Sequence, residues 1–83
     1  METYLILDKV TEIFKRVLDN SEIKLFNHTT AKDIEEWDSL SHIQLIVAIE
    51  KIFKVRFSSS EIQNFKNVGE MCDSITKKLN KII

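Results

Sequence analysis

Asp38, Ser39 and His42 are the side chains of this chain whose types and spacing suggest chemistry most directly. A serine becomes a nucleophile when a nearby base takes its proton and a carboxylate orients that base. His42 lies three residues after Ser39, but its angle on a helix directs it towards the core side, where a packed and hydrogen-bonded histidine is expected. The glycine-framed turn that presents the serine of a hydrolase is also missing around Ser39. We therefore do not expect Ser39 to act as a catalytic nucleophile.

Ser39 is better placed to carry a group than to attack one. Asp38 can accept hydrogen bonds from the free backbone N–H groups of a helix start, which makes it a good N-cap. Ser39 would then stand in the first turn, at the positive end of the helix dipole, where an attached anion is stabilised. The alternative is that Ser39 is only a helix-start residue, because serine is common at such positions without any chemistry.

The helix that begins at Ser39 is predicted to run to about Lys54 and to carry apolar residues on two sides. At about 100° per residue, one apolar side is wide enough to face a core. Its members are Leu45, Ile46, Ile49, Ile52 and Phe53. The residues on nearly the opposite side are Leu40, Ile43 and Val47, flanked by Gln44, Glu50, Lys51 and Lys54. A small domain has one interior, so we expect this second stripe to be exposed and to bind partners. The alternative is that the preceding loop buries it.

These residues resemble the acyl carrier protein family, which includes the peptidyl and aminoacyl carrier domains. Asp38-Ser39-Leu40 matches the Asp-Ser-Leu triplet that opens the second helix of that family, and the apolar pattern through Phe53 matches the rest of that helix. The resemblance covers almost all of the 83 residues. It implies an all-α fold: a small four-helix bundle with a long loop between helices 1 and 2 and a short third helix. It also implies that Ser39 carries 4′-phosphopantetheine through a phosphodiester.

The function that the resemblance implies is that of a carrier, which has no catalytic residue and is not an enzyme. A phosphopantetheinyl transferase would use coenzyme A to load Ser39, and the terminal thiol of the arm would hold an acyl or aminoacyl group as a thioester. An acyl or aminoacyl ligase and acyl-transferring enzymes are the other expected partners. The residues expected to bind them are Leu40, Ile43, Gln44, Val47, Glu50 and Lys51. The competing interpretation is a small helical interaction module without a prosthetic group, which would use Leu40, Ile43 and Val47.

The charge of the second helix departs from the usual fatty-acid carriers, which crowd Asp and Glu on it. Here Gln44, Lys51 and Lys54 lie among the surface positions, with Glu50 as the main acid. A partner surface built from Arg and Lys would bind such a face weakly. We therefore expect a dedicated pathway rather than general fatty-acid synthesis. Glu36-Trp37-Asp38 lacks the glycine pair of the peptidyl carrier branch, although an aminoacyl cargo stays possible.

Composition limits the function classes. Eighty-three residues predict a single domain over 1–83, and 43% hydrophobic with 30% charged residues are typical of a globular protein. The 12 basic and 13 acidic side chains give no strong field for nucleic acid or a membrane surface. One cysteine, Cys72, allows neither an internal disulfide nor a cysteine zinc site, and His28 and His42 lack metal-ligand spacing. No run has signal-peptide or transmembrane length, so we expect a cytoplasmic monomer without membrane insertion.

The absence of proline and the single glycine favour helices over short strands. The first helix is predicted from Thr3, as its cap, to about Leu18. Its buried face consists of Ile6, Val10, Ile13, Phe14 and Val17. The turn-favouring segment Asp19-Asn20-Ser21 ends it.

Two capping signals predict the remaining helices. Ser58 and Glu61 have the spacing of a capping box and start a short helix that ends near Asn64. Asn67 is the predicted cap of the last helix. The apolar stripe of that helix is Val68, Met71, Cys72, Ile75, Leu79 and Ile82, with Lys77, Lys78 and Lys81 near its C-terminal end. Cations are favourable at that end of the helix dipole.

The segment from Asp19 to Asp38 has no helical periodicity and is predicted to be a loop. We expect Phe26, Ile34 and Trp37 to hold it against the core, with a short helical turn around 30–34. Trp37 is interpreted as a loop anchor; the alternative is that it borders a bound acyl group.

Overall fold

The computed structural model describes residues 3–80, and the side chains within 5–79. Its helices are α1 (Thr3–Val17), α2 (Ser39–Phe53), α3 (Ser59–Asn64) and α4 (Val68–Asn80). No strand occurs within these residues, so the all-α prediction, the long loop after α1 and the short third helix are confirmed. The predicted roles of the Thr3 side chain, Lys81 and Ile82 fall outside the described part. None of the described helices is long and apolar enough to cross a membrane.

The core forms where α1 packs against both α2 and α4. The predicted faces of α1 and α4 point into it, with Val17 and Leu79 at its margin. The buried side chains of these two helices are Ile6, Val10, Ile13, Phe14, Val68, Met71, Cys72 and Ile75. The core-facing residues of α2 are Leu45, Ile46, Ile49 and Phe53.

The prediction that Ile52 belongs to the core is wrong, because its side chain is 44% exposed. On a helix of 3.6 residues per turn, Ile52 lies about 60° from Ile49 and so at the edge of the buried arc. Angle alone therefore overestimated the width of the face of α2 that the other helices cover.

The loop from 18 to 38 is held by five buried apolar residues, which are Leu18, Ile23, Leu25, Ile34 and Trp37. The prediction for Phe26 is wrong, since this ring is 55% exposed and stacks on His28. Residues 23–26 form no helix or turn, and their side chains are alternately buried and exposed, which is the pattern of an extended segment. Burial of Ile23 and Leu25 consequently directs Phe26 outwards. The predicted turn near 30–34 is present, with the Asp33 N–H donating to the Thr30 carbonyl at 3.0 Å.

Loop carbonyls complete the start of α4. The Val68 N–H donates to the Thr29 carbonyl at 2.9 Å, and the Gly69 N–H donates to the Asn27 carbonyl at 2.8 Å. A Cβ at position 69 would stand 2.8 Å from that Asn27 oxygen, so this approach requires glycine. The predicted cap is also confirmed, because Asn67 Oδ1 accepts the Glu70 N–H at 2.9 Å.

Candidate functional site

The start of α2 is built by two side chains that exchange hydrogen bonds with the backbone. Asp38 has extended backbone angles, and its Oδ1 accepts the Ser41 N–H at 2.9 Å. Ser41 Oγ accepts the Asp38 N–H at 2.8 Å and donates to the Glu36 carbonyl at 2.9 Å. This capping box satisfies backbone groups that the helix itself leaves without partners. Asp38 is therefore the N-cap, as predicted.

Ser41 was not predicted from the sequence as a member of this box. The signal that could have identified it is its position three residues after the cap. Its backbone N–H and hydroxyl are the main causes that hold the pKa of the Asp38 carboxyl below its usual value. The carboxylate that closes the helix start is thus kept charged beside the N-terminal end of the helix dipole.

Ser39 is the first residue of α2, and its side chain is exposed. Within residues 3–80 its hydroxyl makes no hydrogen bond to another protein group, whereas its neighbours Asp38 and Ser41 are both engaged. The arrangement leaves an accessible hydroxyl at the positive end of a 15-residue helix. A phosphate ester at this position would be stabilised by the helix dipole.

Behind Ser39, the predicted apolar stripe of α2 faces solvent. Leu40 is 70% exposed, Ile43 51% and Val47 44%. The alternative that the preceding loop covers this stripe is therefore wrong, even for Leu40. Gln44 and Lys51 are exposed beside it. Such a contiguous apolar surface on a small protein is typical of a docking site.

Glu50 does not stand free on this face as predicted. Its side chain is half-buried, and its Oε2 accepts the Phe57 N–H at 2.9 Å. Lys54 ends α2 in the left-handed conformation, with φ of 58°, and the chain then turns back so that Phe57 comes within reach of Glu50. Glu50 is thus partly covered by that turn, and the exposed charged residues near the C-terminal end of α2 are Lys51, Lys54 and Arg56.

His42 is packed and hydrogen-bonded, as predicted, and it joins three elements. The Trp37 Nε1–H donates to His42 Nδ1 at 3.1 Å, and His42 Nε2 lies 3.1 Å from the Ile62 carbonyl oxygen of α3. The two rings stack with centroids 5.9 Å apart. Trp37 is itself buried and meets Phe14 of α1 edge-on at 4.9 Å. The loop before α2 is thereby fixed to both α1 and α3.

An open groove of about 400 Å³ lies beside Ser39, between the start of α2 and α3. Its lining is mainly apolar, with a few polar groups at the rim. The residues are Ala31, Trp37, Asp38, Ser39, His42, Ile43, Ile62, Gln63, Phe65 and Lys66. The contribution of α3 to this groove was not predicted, because the capping signal at Ser58 indicates a short connecting helix and not its neighbours in space.

Away from the groove, α3 is hydrogen-bonded to α4 through Glu61. Ser58 and Glu61 form the predicted capping box, and Glu61 also accepts hydrogen bonds from Ser74 at 3.2 Å and Lys78 at 3.0 Å. The backbone N–H of Ser58 is the main cause that lowers the pKa of Glu61 to about 2, and Lys78 is the second. Lys78 also lies over the Phe57 ring, 5.3 Å from its centroid.

Neither other candidate group takes part in this site. His28 stacks on Phe26 in the loop, and no metal-ligating cluster occurs among the described residues. Cys72 is buried in the core, as predicted, and burial, with a smaller contribution from Asp73, raises the pKa of its thiol to about 11. This thiol is neither accessible nor ionised near neutral pH.

Comparison with known proteins agrees with these features. The family model described as phosphopantetheine attachment site matches residues 8–75. An acyl carrier protein of Buchnera aphidicola is 32% identical over 71 residues, covering 86% of this chain and 89% of its own. One from onion yellows phytoplasma is 38% identical over 60 residues, covering 72% and 76%. The solution structure of holo acyl carrier protein from Geobacter metallireducens is similar with a TM-score of 0.87, at 45% identity and 93% and 88% coverage.

The comparisons agree in class: the matched family and the named relatives are carriers and not catalysts. The matched family model covers most of the chain, so this chain belongs to the phosphopantetheine-attachment family and is an acyl carrier protein. Its prosthetic group is 4′-phosphopantetheine. Membership implies interaction with a phosphopantetheinyl transferase and with acyl-handling enzymes, and it removes the alternative of an interaction module without a prosthetic group.

Proposed function

We propose that Ser39 is the residue that carries 4′-phosphopantetheine and that Asp38 supports it as the helix cap. The fit is supported by the exposed hydroxyl of Ser39 and by its place in the first turn of α2. The positive end of the helix dipole favours the negative charge of a phosphodiester. When bound, the group supplies a terminal thiol that holds an acyl or aminoacyl cargo as a thioester. The chain presents this arm and performs no chemistry itself.

The experiment is loading of the purified protein with coenzyme A by a broad-specificity phosphopantetheinyl transferase, with the intact mass measured afterwards. We expect a gain of one phosphopantetheine in the wild type and no gain in Ser39→Ala. Ser59→Ala is the matched control, because Ser59 is also an exposed serine at the first position of a capped helix. This control should gain the full mass. A mass gain that survives Ser39→Ala would refute the assignment.

The proposed partner-binding surface is the exposed face of α2, formed by Leu40, Ile43, Gln44, Val47 and Lys51. Its apolar stripe supplies contact area next to Ser39, and charged neighbours adjust the association rate and the choice of partner. Glu50 was predicted to belong to this surface as its main acid. Its side chain is half-buried and its Oε2 accepts the Phe57 N–H, so Glu50 is less accessible to partners than expected.

We further propose that this carrier serves a dedicated pathway rather than general fatty-acid synthesis. The exposed charges near the C-terminal end of α2 are those of Lys51, Lys54 and Arg56. Enzymes that dock through basic surfaces would be repelled there, and like charges mainly slow association. The proposal includes a monomer in the cytoplasm: a monomer suits a carrier that travels between enzymes, and a single cysteine forms no internal disulfide that would need an oxidising compartment.

Reconstituted general fatty-acid synthesis tests this part. We expect elongation on the loaded protein to be about tenfold slower than on an acidic carrier at low salt, since electrostatic complementarity changes association rates by at least that factor. The variant Lys51→Glu/Lys54→Glu should recover part of the difference. Equal rates on the two carriers would contradict the dedicated role without affecting the assignment of Ser39.

A further inference from the structure

Both ring nitrogens of His42 are used, and chemistry decides which one carries the proton. The Trp37 indole N–H can only donate, so His42 Nδ1, 3.1 Å away, must accept. In the neutral ring the proton then lies on Nε2, which donates to the Ile62 carbonyl at 3.1 Å. The two hydrogen bonds are compatible only with this one neutral tautomer.

The Ile62 carbonyl needs an outside donor. α3 has six residues, and the last four carbonyl groups of any α-helix have no partner within the helix. α3 also has no fully buried residue, so little apolar burial fixes its position. It is instead held from two sides: by Glu61 towards α4 and by His42 towards the start of α2.

We propose that neutral His42, with its proton on Nε2, is a positioning residue that holds α3 and Trp37 around the groove beside Ser39, and that protonation of the ring breaks its bond to Trp37 while the Nε2–H bond to the Ile62 carbonyl remains. A protonated ring has N–H groups at both nitrogens. Its Nδ1–H would face the Trp37 indole N–H, and two donors cannot bond each other. The buried indole N–H would lose its partner, which costs more than the bond itself contributed.

Neither ring nitrogen of His42 bonds a carboxylate that would hold the ring protonated. Asp38 lines the same groove, but its carboxylate is engaged with the Ser41 N–H. Lys66, from the segment after α3, lines the groove with a positive charge. Glu61 of α3 is bonded to Lys78 and Ser74. The two hydrogen bonds of His42, to Trp37 and to Ile62, form a bridge that does not depend on any modification of Ser39. Its effect on a prosthetic arm at Ser39 rests on the proposed function.

Trp37 is the single tryptophan of the chain, so its fluorescence reports on this bridge directly. We expect its emission to change reversibly when the pH is lowered until the His42 ring takes up a second proton, because the indole N–H then loses its acceptor. His42→Gln should lack this response, and His28→Gln, the matched histidine control, should keep it. A response that disappears with His28→Gln and persists with His42→Gln would overturn the proposal.

Two further measurements separate positioning from mere packing. In the wild type, nitrogen chemical shifts of the His42 ring at neutral pH should show a protonated Nε2 and an unprotonated Nδ1. The reverse tautomer overturns the proposal even if the variants fail to fold.

Amide hydrogen exchange of α3 should be about tenfold faster in His42→Ala, because loss of one hydrogen bond lowers the protection by about that factor. His42→Gln should restore part of this protection, because its amide can still donate to the Ile62 carbonyl.

The Ser39→Ala protein keeps the two proposals distinguishable. It should show the full pH response of Trp37 and no mass gain on incubation with the transferase and coenzyme A. A wild type that loads normally but shows no pH response would refute the role of His42 alone. A protein that responds to pH but loads equally well without Ser39 would refute the attachment site alone.

Discussion

The starts of α2 and α3 are built alike. Each has a capping box, Asp38 with Ser41 in α2 and Ser58 with Glu61 in α3. Each also has an exposed serine at the first helical position, so Ser39 and Ser59 have the same local setting. Local backbone chemistry therefore does not distinguish the proposed attachment serine from an ordinary one.

The difference lies in the helix that each serine begins. α2 continues for 15 residues with an exposed apolar stripe on one face, whereas α3 ends after six, and its exposed residues are polar. Ser39 also borders a largely apolar groove, to which α3 contributes one wall. The two helix starts have the same kind of cap, so the cap alone does not make a recognition site. The comparison teaches that the apolar surface beside a helix N-terminus is what distinguishes such a site.

We expect the largest effect from placing a charge in the apolar stripe of α2, measured as the rate of loading by the transferase. Val47 and Ile52 lie on the same helix, and each is 44% exposed, but only Val47 belongs to the stripe. We expect Val47→Asp to lower kcat/KM for loading by the transferase about 30-fold, as for an interface residue worth about 2 kcal/mol. Ile52→Asp should change it little. Equal losses in the two variants would show that the stripe has no special role.

A second effect concerns α4, whose start is closed by loop carbonyls in addition to the side chain of Asn67. Gly69→Ala would place a Cβ 2.8 Å from the Asn27 carbonyl oxygen. We expect the free energy of unfolding to fall by about 1–3 kcal/mol, the usual cost of overpacking, when measured by urea denaturation. Asn27→Ala is the control, because only the backbone of Asn27 accepts this bond, and it should be nearly neutral.

Removal of the α3 cap should have a smaller effect and should leave Ser39 unaffected. Ser58 Oγ accepts the Glu61 N–H at 3.2 Å, and Ser58→Ala deletes this bond. We expect a loss of about 1 kcal/mol in stability with loading rates unchanged. Denaturation and mass-based loading assays on one sample would check both. A large drop in loading would mean that α3 takes a direct part in transferase recognition.

The smallest expected effect is on the pH dependence of stability that arises from Glu61 of α3, which accepts hydrogen bonds from Ser74 and Lys78 of α4. The pKa of Glu61 is about 2 in the folded protein, below its ordinary value of 4.5. Its stabilising contribution is therefore present above about pH 4.5 and is lost as the pH falls towards 2. Glu61→Gln should flatten this part of the melting-temperature profile. Glu12→Gln, which removes only an exposed ion pair with Lys15, should leave the profile unchanged.

Much of the fold could be predicted from local signals. Periodic apolar residues predicted α1, α2 and α4, and the Asp38, Ser58 and Asn67 caps predicted where helices begin. These features depend on residues within a turn or two of each other, so the sequence displays them. The exposed stripe of α2 was also predictable, because a small domain cannot bury two opposite faces of one helix.

The errors arose where backbone geometry decides the outcome. Phe26 was predicted to be buried because it is large and apolar, but the extended backbone beside Ile23 and Leu25 turns it out. Glu50 was predicted to be an exposed acidic residue, yet it is half-buried and accepts the Phe57 N–H that the turn after α2 brings within reach. The bond between His42 and the Ile62 carbonyl joins residues 20 positions apart, and backbone carbonyls leave no trace in a sequence.

Burial of Cys72 has a practical consequence for studying the carrier. With its thiol enclosed and its pKa at about 11, the only cysteine of the chain that could compete for haloacetamides or maleimides is silent in the native protein. Any thiol labelled quickly under native conditions would then belong to the prosthetic arm. Label stoichiometry could thus count how many molecules in a preparation carry a free arm, without replacing a single residue.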